Sequence, residues 1–107
     1  MTSKMIYSCF EGLYDKFDWP IIENKSEYVH IGNSSERDLN KISLALSHFI
    51  GEYLFVVLNR NTSCKTKNSL SDVNNFIMDN ENMVFVEITW KLCLEIKGEV
   101  MRVGYLK

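Results

Sequence analysis

The hydrophobic residues from Leu39 onward recur every three or four positions, which is the spacing of an amphipathic helix. The members of this stripe are Leu39, Ile42, Leu46, Phe49 and Ile50. Ser35 can cap the backbone at the start, with Asp38 in the capping-box position, and Gly51 can end the helix in a left-handed conformation. The pattern predicts a helix over residues 35–50.

A second helical stripe consists of Leu70, Val73, Phe76 and Ile77, with Ser69 or Ser71 as its cap, and predicts a helix over residues 70–80. A shorter stripe near the N-terminus consists of Phe10, Leu13, Tyr14 and Phe17. It predicts a short amphipathic helix on the core. Trp19 ends this helix, because a residue that precedes proline disfavours helical dihedral angles.

The strand predictions come from apolar runs and from alternation. Residues 53–58 are six apolar residues in succession, which is typical of a central strand that is covered on both faces. Residues 28–31 predict a short strand that ends at Gly32, and the strand-like alternation of apolar and polar residues runs from Met83 to the C-terminus. Residues 59–69 contain Cys64 as their one hydrophobic residue and predict a polar, basic loop.

The last alternating segment predicts a β-hairpin with Gly98 and Glu99 at its tip, where Gly98 takes the first central position of a type II′ turn. In this register Glu95 lies opposite Arg102. The pairs on the other face are Ile96/Met101, Leu94/Val103 and Leu92/Tyr105. A slip by one residue would lose both the charge pair and the apolar face, so cross-strand energetics favour this register.

Together these elements predict an α+β fold for a single compact domain that spans residues 1–107. We expect a mixed or mostly antiparallel sheet of about five strands, with the two main helices on one face and the N-terminal segment over part of the sheet. The strands on either side of the first main helix should run parallel, with a right-handed crossover if they share one sheet.

Composition and charge narrow the class of protein. The 107 residues are 46% hydrophobic and 24% charged, as in ordinary globular domains, and the net charge of -2 disfavours a general nucleic-acid binder. Cys9, Cys64 and Cys93 stand apart, without the paired spacing of a zinc or redox motif. Isolated thiols, an N-terminus without a signal-peptide pattern and the lack of a long apolar run predict a cytoplasmic protein.

Each candidate chemical site has an ordinary structural explanation beside the functional one. Cys64 next to Lys65 is either a reactive thiol or a loop cysteine without a role. Residues 32–35 either bind a phosphate at a helix start or simply cap that helix. The basic residues Arg60, Lys65 and Lys67 either contact nucleic acid or form a solvated turn. We therefore predict no catalytic residue, no metal and no cofactor.

Acids and large aromatic residues are concentrated in one part of the chain. Five acids, Glu11, Asp15, Asp18, Glu23 and Glu27, lie within a 17-residue stretch that also carries several rings. Such rings either belong to the core or form a protein interface, where the acids would steer a cationic partner. The residues predicted to contact a partner are Asp15, Asp18, Trp19, Glu23 and Glu27.

The chain combines a small size, an Asn/Lys/Ser-rich and proline-poor composition, the acidic aromatic segment Phe10–Tyr28 and a closing β-rich run, Met83–Lys107. This plan resembles small bacterial immunity proteins, especially those of contact-dependent growth inhibition systems. The resemblance covers the whole chain in size and plan, and it matches no site residue by residue.

The resemblance implies a non-catalytic cytoplasmic protein that binds a cognate toxin domain, often a basic nuclease. It would neutralise the toxin by occluding its active site or its target-binding surface. The partner is then a protein, with no direct nucleic-acid or membrane contact, and the chain is a monomer or a weak dimer. The alternative is a small nucleotide- or nucleic-acid-binding regulatory domain.

Overall fold

Seven strands and three helices follow one another along the part of the chain that the computed structural model describes, residues 1–19 and 28–107. The helices are α1 (Ser3–Leu13), α2 (Leu39–Leu46) and α3 (Leu70–Asp79), and a single 3-10 turn, Tyr14–Lys16, follows α1. The strands are β1 (Phe17–Asp18), β2 (Val29–His30), β3 (Tyr53–Val57), β4 (Cys64–Lys67), β5 (Asn82–Glu87), β6 (Leu92–Lys97) and β7 (Val100–Leu106). The predicted α+β class is confirmed, with seven strands in place of about five.

Every strand pairing in the described residues is antiparallel, and the order across the sheet is β1-β7-β6-β5-β3-β4. β2 also pairs with β7, so the outer edge of β7 carries β2 near Val100 and β1 near Leu106. The strands that the sequence did not predict are β1 and β4. β2 and β3 run in the same direction, as expected, but β7, β6 and β5 lie between them.

The segment predicted to be a polar loop contains the edge strand β4. This strand pairs with β3, so that Lys67 lies opposite Tyr53 and Cys64 lies opposite Val56. Its residues alternate between half-buried and exposed, which is typical of a strand with one face on the protein. The loop prediction was wrong because pairing with the apolar strand β3 satisfies the backbone of β4 whatever its side chains are.

Helix α2 is shorter than predicted at both ends. It begins after Asp38, whose carboxylate accepts a hydrogen bond from a backbone N–H in the first turn, whereas Ser35 lies in the turn before it. It ends at Leu46, and Gly51, with a φ of 100°, follows only after further tight turns. The late start follows from Arg37, whose buried side chain fixes the chain immediately before the cap.

Of the other two helices, α3 follows its prediction closely and α1 does not. α3 begins after Ser69, whose hydroxyl accepts a hydrogen bond from the Asp72 N–H, and it ends one residue before the predicted end. α1 begins at Ser3, well before the predicted stripe, and ends at Leu13. As a result, Phe17 lies in β1 and not on the helix.

The sheet carries helices on both faces. α2 and α3 lie together on one face, as predicted, and the buried strand residues that they contact are Leu54, Val56, Phe85, Leu94 and Ile96. α1 lies on the other face, called here the α1 face, whose buried residues are Ile6, Phe10, Phe17, Phe55, Val57, Val86 and Cys93. β3 is therefore covered on both sides, which confirms the prediction from its unbroken apolar run.

The C-terminal hairpin has the predicted register. Glu95 lies opposite Arg102, and Ile96, Leu94 and Leu92 lie opposite Met101, Val103 and Tyr105. Gly98 has a positive φ of 56° and Glu99 does not, as expected for a type II′ turn at these two positions.

Arg37 connects three segments from a buried position, with 6% of its surface exposed. Its Nη1 donates to the carbonyl of Ile77 at the end of α3, at 2.8 Å. Its Nη2 donates to the carbonyls of Glu81, at 2.8 Å, and of Gly98 at the hairpin tip, at 3.1 Å. Burial lowers the pKa of this guanidinium. The end of α3, the turn after it and the hairpin tip thus depend on one charged donor.

We expect Arg37→Met to lower the free energy of unfolding by about 3 kcal/mol, because three carbonyl oxygens lose their shared charged donor. Arg60→Met makes the same chemical change at an exposed position and should alter this free energy by less than about 0.5 kcal/mol. Urea unfolding of both variants tests the expectation. Equal effects of the two substitutions would contradict the role assigned to Arg37.

Candidate functional site

A groove of about 340 Å³ opens on the α1 face of the sheet, beside α1. Its polar lining residues are Tyr7, Glu11, Tyr14, Asn82, Glu95 and Lys97, and the apolar ones include Phe10, Val57 and Val84. The groove arises because α1 packs over β3 and leaves the neighbouring end of the sheet uncovered, where Asn82 and Lys97 face each other across β5 and β6.

The groove ends on a buried carboxylate, that of Glu95, which is 3% exposed. The Arg102 Nε donates to Glu95 Oε1 at 2.7 Å, and the Tyr14 hydroxyl donates to Oε2 at 2.9 Å. Arg102 Nη2 in turn donates to the Tyr14 oxygen at 2.9 Å, which closes a three-membered network. Tyr28 adds a longer hydrogen bond to Oε1, at 3.5 Å. Both carboxylate oxygens are therefore engaged by the protein itself.

Aromatic rings cover the cation of this network. The guanidinium carbon of Arg102 lies 3.8 Å from the centre of the Trp19 ring and 4.9 Å from that of Tyr28. Such cation–π contacts strengthen when water is excluded. Trp19 fits here because position 104 is a glycine, since a Cβ at Gly104 would stand 2.8 Å from the indole ring. The network is thus enclosed by residues from both ends of the chain.

The electrostatics of the network follow from its burial and pairing. Burial raises the pKa of Tyr14, and the hydrogen bond and charge of Glu95 raise it further. Burial acts to lower the pKa of Arg102, but the hydrogen bond and charge of Glu95 outweigh it and leave that pKa raised. Tyr14 therefore stays a neutral donor and Arg102 stays charged over the whole physiological range.

The predicted partner-binding residues occupy different settings. Asp15 is exposed on the 3-10 turn after α1. Asp18 lies in β1, where its Oδ1 is 3.0 Å from the Nζ of Lys107, and Trp19 is half-buried against the network. Glu23 and Glu27 lie outside the described residues. Among the predicted contacts that the structure describes, Asp15 is the one with an exposed carboxylate outside an ion pair.

Cys64 and Cys93 do not have the environment of reactive thiols. All three cysteines are free, and Cys93 is buried, which raises its pKa to about 12. Burial also raises the pKa of Cys64, which argues against the reactive-thiol alternative for this residue. Within the described ranges, no group of three or more His, Cys, Asp or Glu residues could hold a metal ion.

The structure also places the two sequence features behind the nucleotide- or nucleic-acid-binding alternative differently from the prediction. Residues 32–35 do not open a helix, because α2 begins after Asp38 and that acidic cap already occupies its N-terminus. Lys65 and Lys67 lie on the same side of β4, where the Nζ of Lys65 stands 4.9 Å from the ring centre of Tyr53. The helix start on which the phosphate alternative rested is therefore not at residues 32–35, and Lys65 and Lys67 belong to a sheet edge.

Sequence reasoning paired Glu95 with Arg102 but missed that the pair is buried and that Tyr14 completes it. One signal could have indicated this. Glu95 lies between Leu94 and Ile96 in the strand Leu92–Lys97, where the other charged residue is the terminal Lys97. An acid in such a strand is buried and must find partners.

No family model, curated protein or solved structure matches this chain. Among the described helices, none is long and apolar enough to cross a membrane.

Substituting one member of the Glu95–Arg102 pair should lower the free energy of unfolding more than expected from the loss of the pair itself, because the other member stays buried. We expect Glu95→Gln and Arg102→Met each to lower the free energy of unfolding by about 3 kcal/mol, because each leaves a buried partner uncompensated. The double variant should lose clearly less than the sum of the two. Lys97→Met removes a half-exposed ammonium 3.9 Å from Glu95 and should cost less than about 1 kcal/mol. Urea unfolding of all four variants tests this, and strict additivity would contradict the assigned network.

The raised pKa of Cys93 predicts a loss of stability at alkaline pH. The thiol ionises near pH 9 when unfolded and near pH 12 when folded, so the unfolded state loses its proton first. The contribution of the protonated thiol to the free energy of unfolding is fully present below pH 9. Above this pH, the free energy of unfolding falls by up to about 1.4 kcal/mol per pH unit. Cys93→Val should flatten this fall, whereas Cys9→Ala, at an exposed thiol, should leave it unchanged. Urea midpoints between pH 9 and pH 10 provide the measurement, and identical slopes in both variants would contradict it.

Proposed function

We propose that this chain is a non-catalytic immunity protein that binds and neutralises a cognate bacterial toxin domain. The observation that carries the proposal is the hydrogen bonding of the Glu95 carboxylate at the end of the groove. A general acid or base needs a lone pair or proton that can reach a substrate. Both oxygens of Glu95 are instead committed to Arg102 and Tyr14, so its carboxylate holds the shape of the groove.

The charge of the exposed surface beside the groove supports a basic partner. Glu11 on α1 and Asp15 on the following turn are both exposed carboxylates on the same side of the molecule. Acids of this kind accelerate the association of a cationic partner and select against an anionic one. This agrees with the resemblance to immunity proteins, which implies a basic nuclease as the toxin and occlusion of its active site or target-binding surface.

The mode of action follows from binding alone. A stable complex of this kind buries about 800 Å² on each partner, which is enough to cover an active-site cleft. Asp15 is the described residue best placed to contribute, and Glu23 and Glu27 remain predicted contacts. Asp18 and Trp19 would contribute only by exchanging their present contacts with Lys107 and Arg102.

Co-expression with the protein encoded directly upstream of its gene should yield a complex at equal stoichiometry, and the toxicity of that protein should disappear. Asp15→Lys should weaken the complex at least about fivefold, mainly through slower association at low salt. Asp79→Lys makes the same charge change at an exposed position on α3, across the sheet, and should have less than about a twofold effect. Surface plasmon resonance at two salt concentrations distinguishes the variants.

Two results would contradict the proposal. In the first, the protein elutes alone and its neighbour is harmless without it. In the second, a complex forms but the upstream protein keeps its full activity within it, which would show binding without neutralisation.

A further inference from the structure

The groove beside α1 is lined by two carboxylates, those of Glu95 and Glu11, which differ in how their charges are compensated. Glu95 is compensated by Arg102 at 2.7 Å and by Lys97 at 3.9 Å. Glu11 is exposed on the opposite wall and forms no ion pair within the described residues. Its hydrogen bond with Tyr7, followed by its charge, raises the pKa of that tyrosine. Glu11 therefore offers a carboxylate outside the ion pairs of the described residues, on a wall that also carries an aromatic ring, in a groove that Lys97 also lines.

The size of the groove restricts its occupant. About 340 Å³ is close to the lower end of the range for small-molecule pockets. A single long side chain fits a space of this size better than a folded segment or a nucleotide. The apolar lining of Phe10, Val57 and Val84 suits the aliphatic stem of such a side chain, and Glu11 at the rim suits a cationic end.

The protein itself shows how these groups hold a guanidinium. Arg102 is bound by a carboxylate and a tyrosine hydroxyl, and its charge lies over aromatic rings. The open groove repeats these elements with Glu11 and the rings of Tyr7 and Tyr14. Arginine suits such a set better than lysine, because its planar group forms bidentate hydrogen bonds and stacks on rings.

We propose that the groove is an anchor pocket for one arginine side chain of a protein partner, held by the Glu11 carboxylate beside the rings of Tyr7 and Tyr14. As an account of how a toxin is recognised, this rests on the proposed function. As a property of the groove, it stands without any toxin. Arginine is one of the residues enriched in interface hot spots, which cluster in well-packed pockets.

The test uses the intact protein and N-acetyl-arginine methylamide as the probe. In ¹⁵N-resolved NMR titrations, saturable shifts should appear at Tyr7, Glu11 and Tyr14 with millimolar affinity. The matched citrulline compound has nearly the same shape without the charge and should not bind. Shifts that are absent, that lie elsewhere, or that are equal for the citrulline compound would overturn the proposal.

Three variants test the assigned contacts. Glu11→Gln should weaken probe binding about threefold or more, because it removes the carboxylate charge. Lys97→Met should strengthen binding by a similar factor, because it removes a half-exposed cation from the pocket. Asp79→Asn, an equal charge change at an exposed position on α3 across the sheet, should leave the affinity unchanged. An equal loss in Glu11→Gln and Asp79→Asn, or weaker binding in Lys97→Met, would overturn the assignment.

The outcomes separate this inference from the proposed function. If the protein neutralises a toxin but its groove does not bind the probe, the proposed function stands and the anchor pocket is contradicted. If the groove binds the probe but the protein has no toxic partner, the anchor pocket stands and the immunity function is contradicted.

Discussion

The burial of one carboxylate, that of Glu95, constrains the architecture of the α1 face. An uncompensated charge in the interior costs several kcal/mol, so Glu95 needs a cation and further donors around it. Arg102 comes from the neighbouring strand, but the Tyr14 hydroxyl comes from 81 residues earlier in the chain. The N-terminal segment therefore completes the compensation of a charge that the hairpin carries. β1 and β2 extend this contact along the outer edge of β7, so the first and last parts of the chain form one unit.

Hydrogen bonds also hold the other buried charged residues, Glu87 and Arg37. Glu87, with 1% of its surface exposed, accepts a hydrogen bond from the Ile50 N–H at 2.8 Å and another from the Thr89 hydroxyl. Arg37 donates to carbonyls at the end of α3 and at the hairpin tip. Each charge thus joins segments that the strand pairings do not join. Apolar burial drives folding but is not directional. These polar contacts fix where the loops and helix ends lie, which is the part of a fold that hydrophobic packing leaves open.

This division explains which features could be predicted from the sequence. The hairpin register and the Ser69 cap are set by residues close in sequence, and their patterns were sufficient. The strand β4 and the start of α2 are set by distant partners, β3 and the carbonyls bound by Arg37, so local propensity gave the wrong result. The site shows the same limit. The pairing of Glu95 with its cross-strand partner is a local property, whereas its burial depends on residues far away in the chain.

The network also decides what kind of surface remains for a partner. Large aromatic residues usually supply the anchors of a protein interface. Trp19 and Tyr28 are already engaged with Arg102, and the close approach to Gly104 shows how tightly the indole is packed. Their use in the fold leaves exposed carboxylates and a concave groove, but few protruding rings, on this side of the described molecule. The protruding anchor of any complex formed here must then come from the partner, and a cationic side chain is the one that complements Glu11.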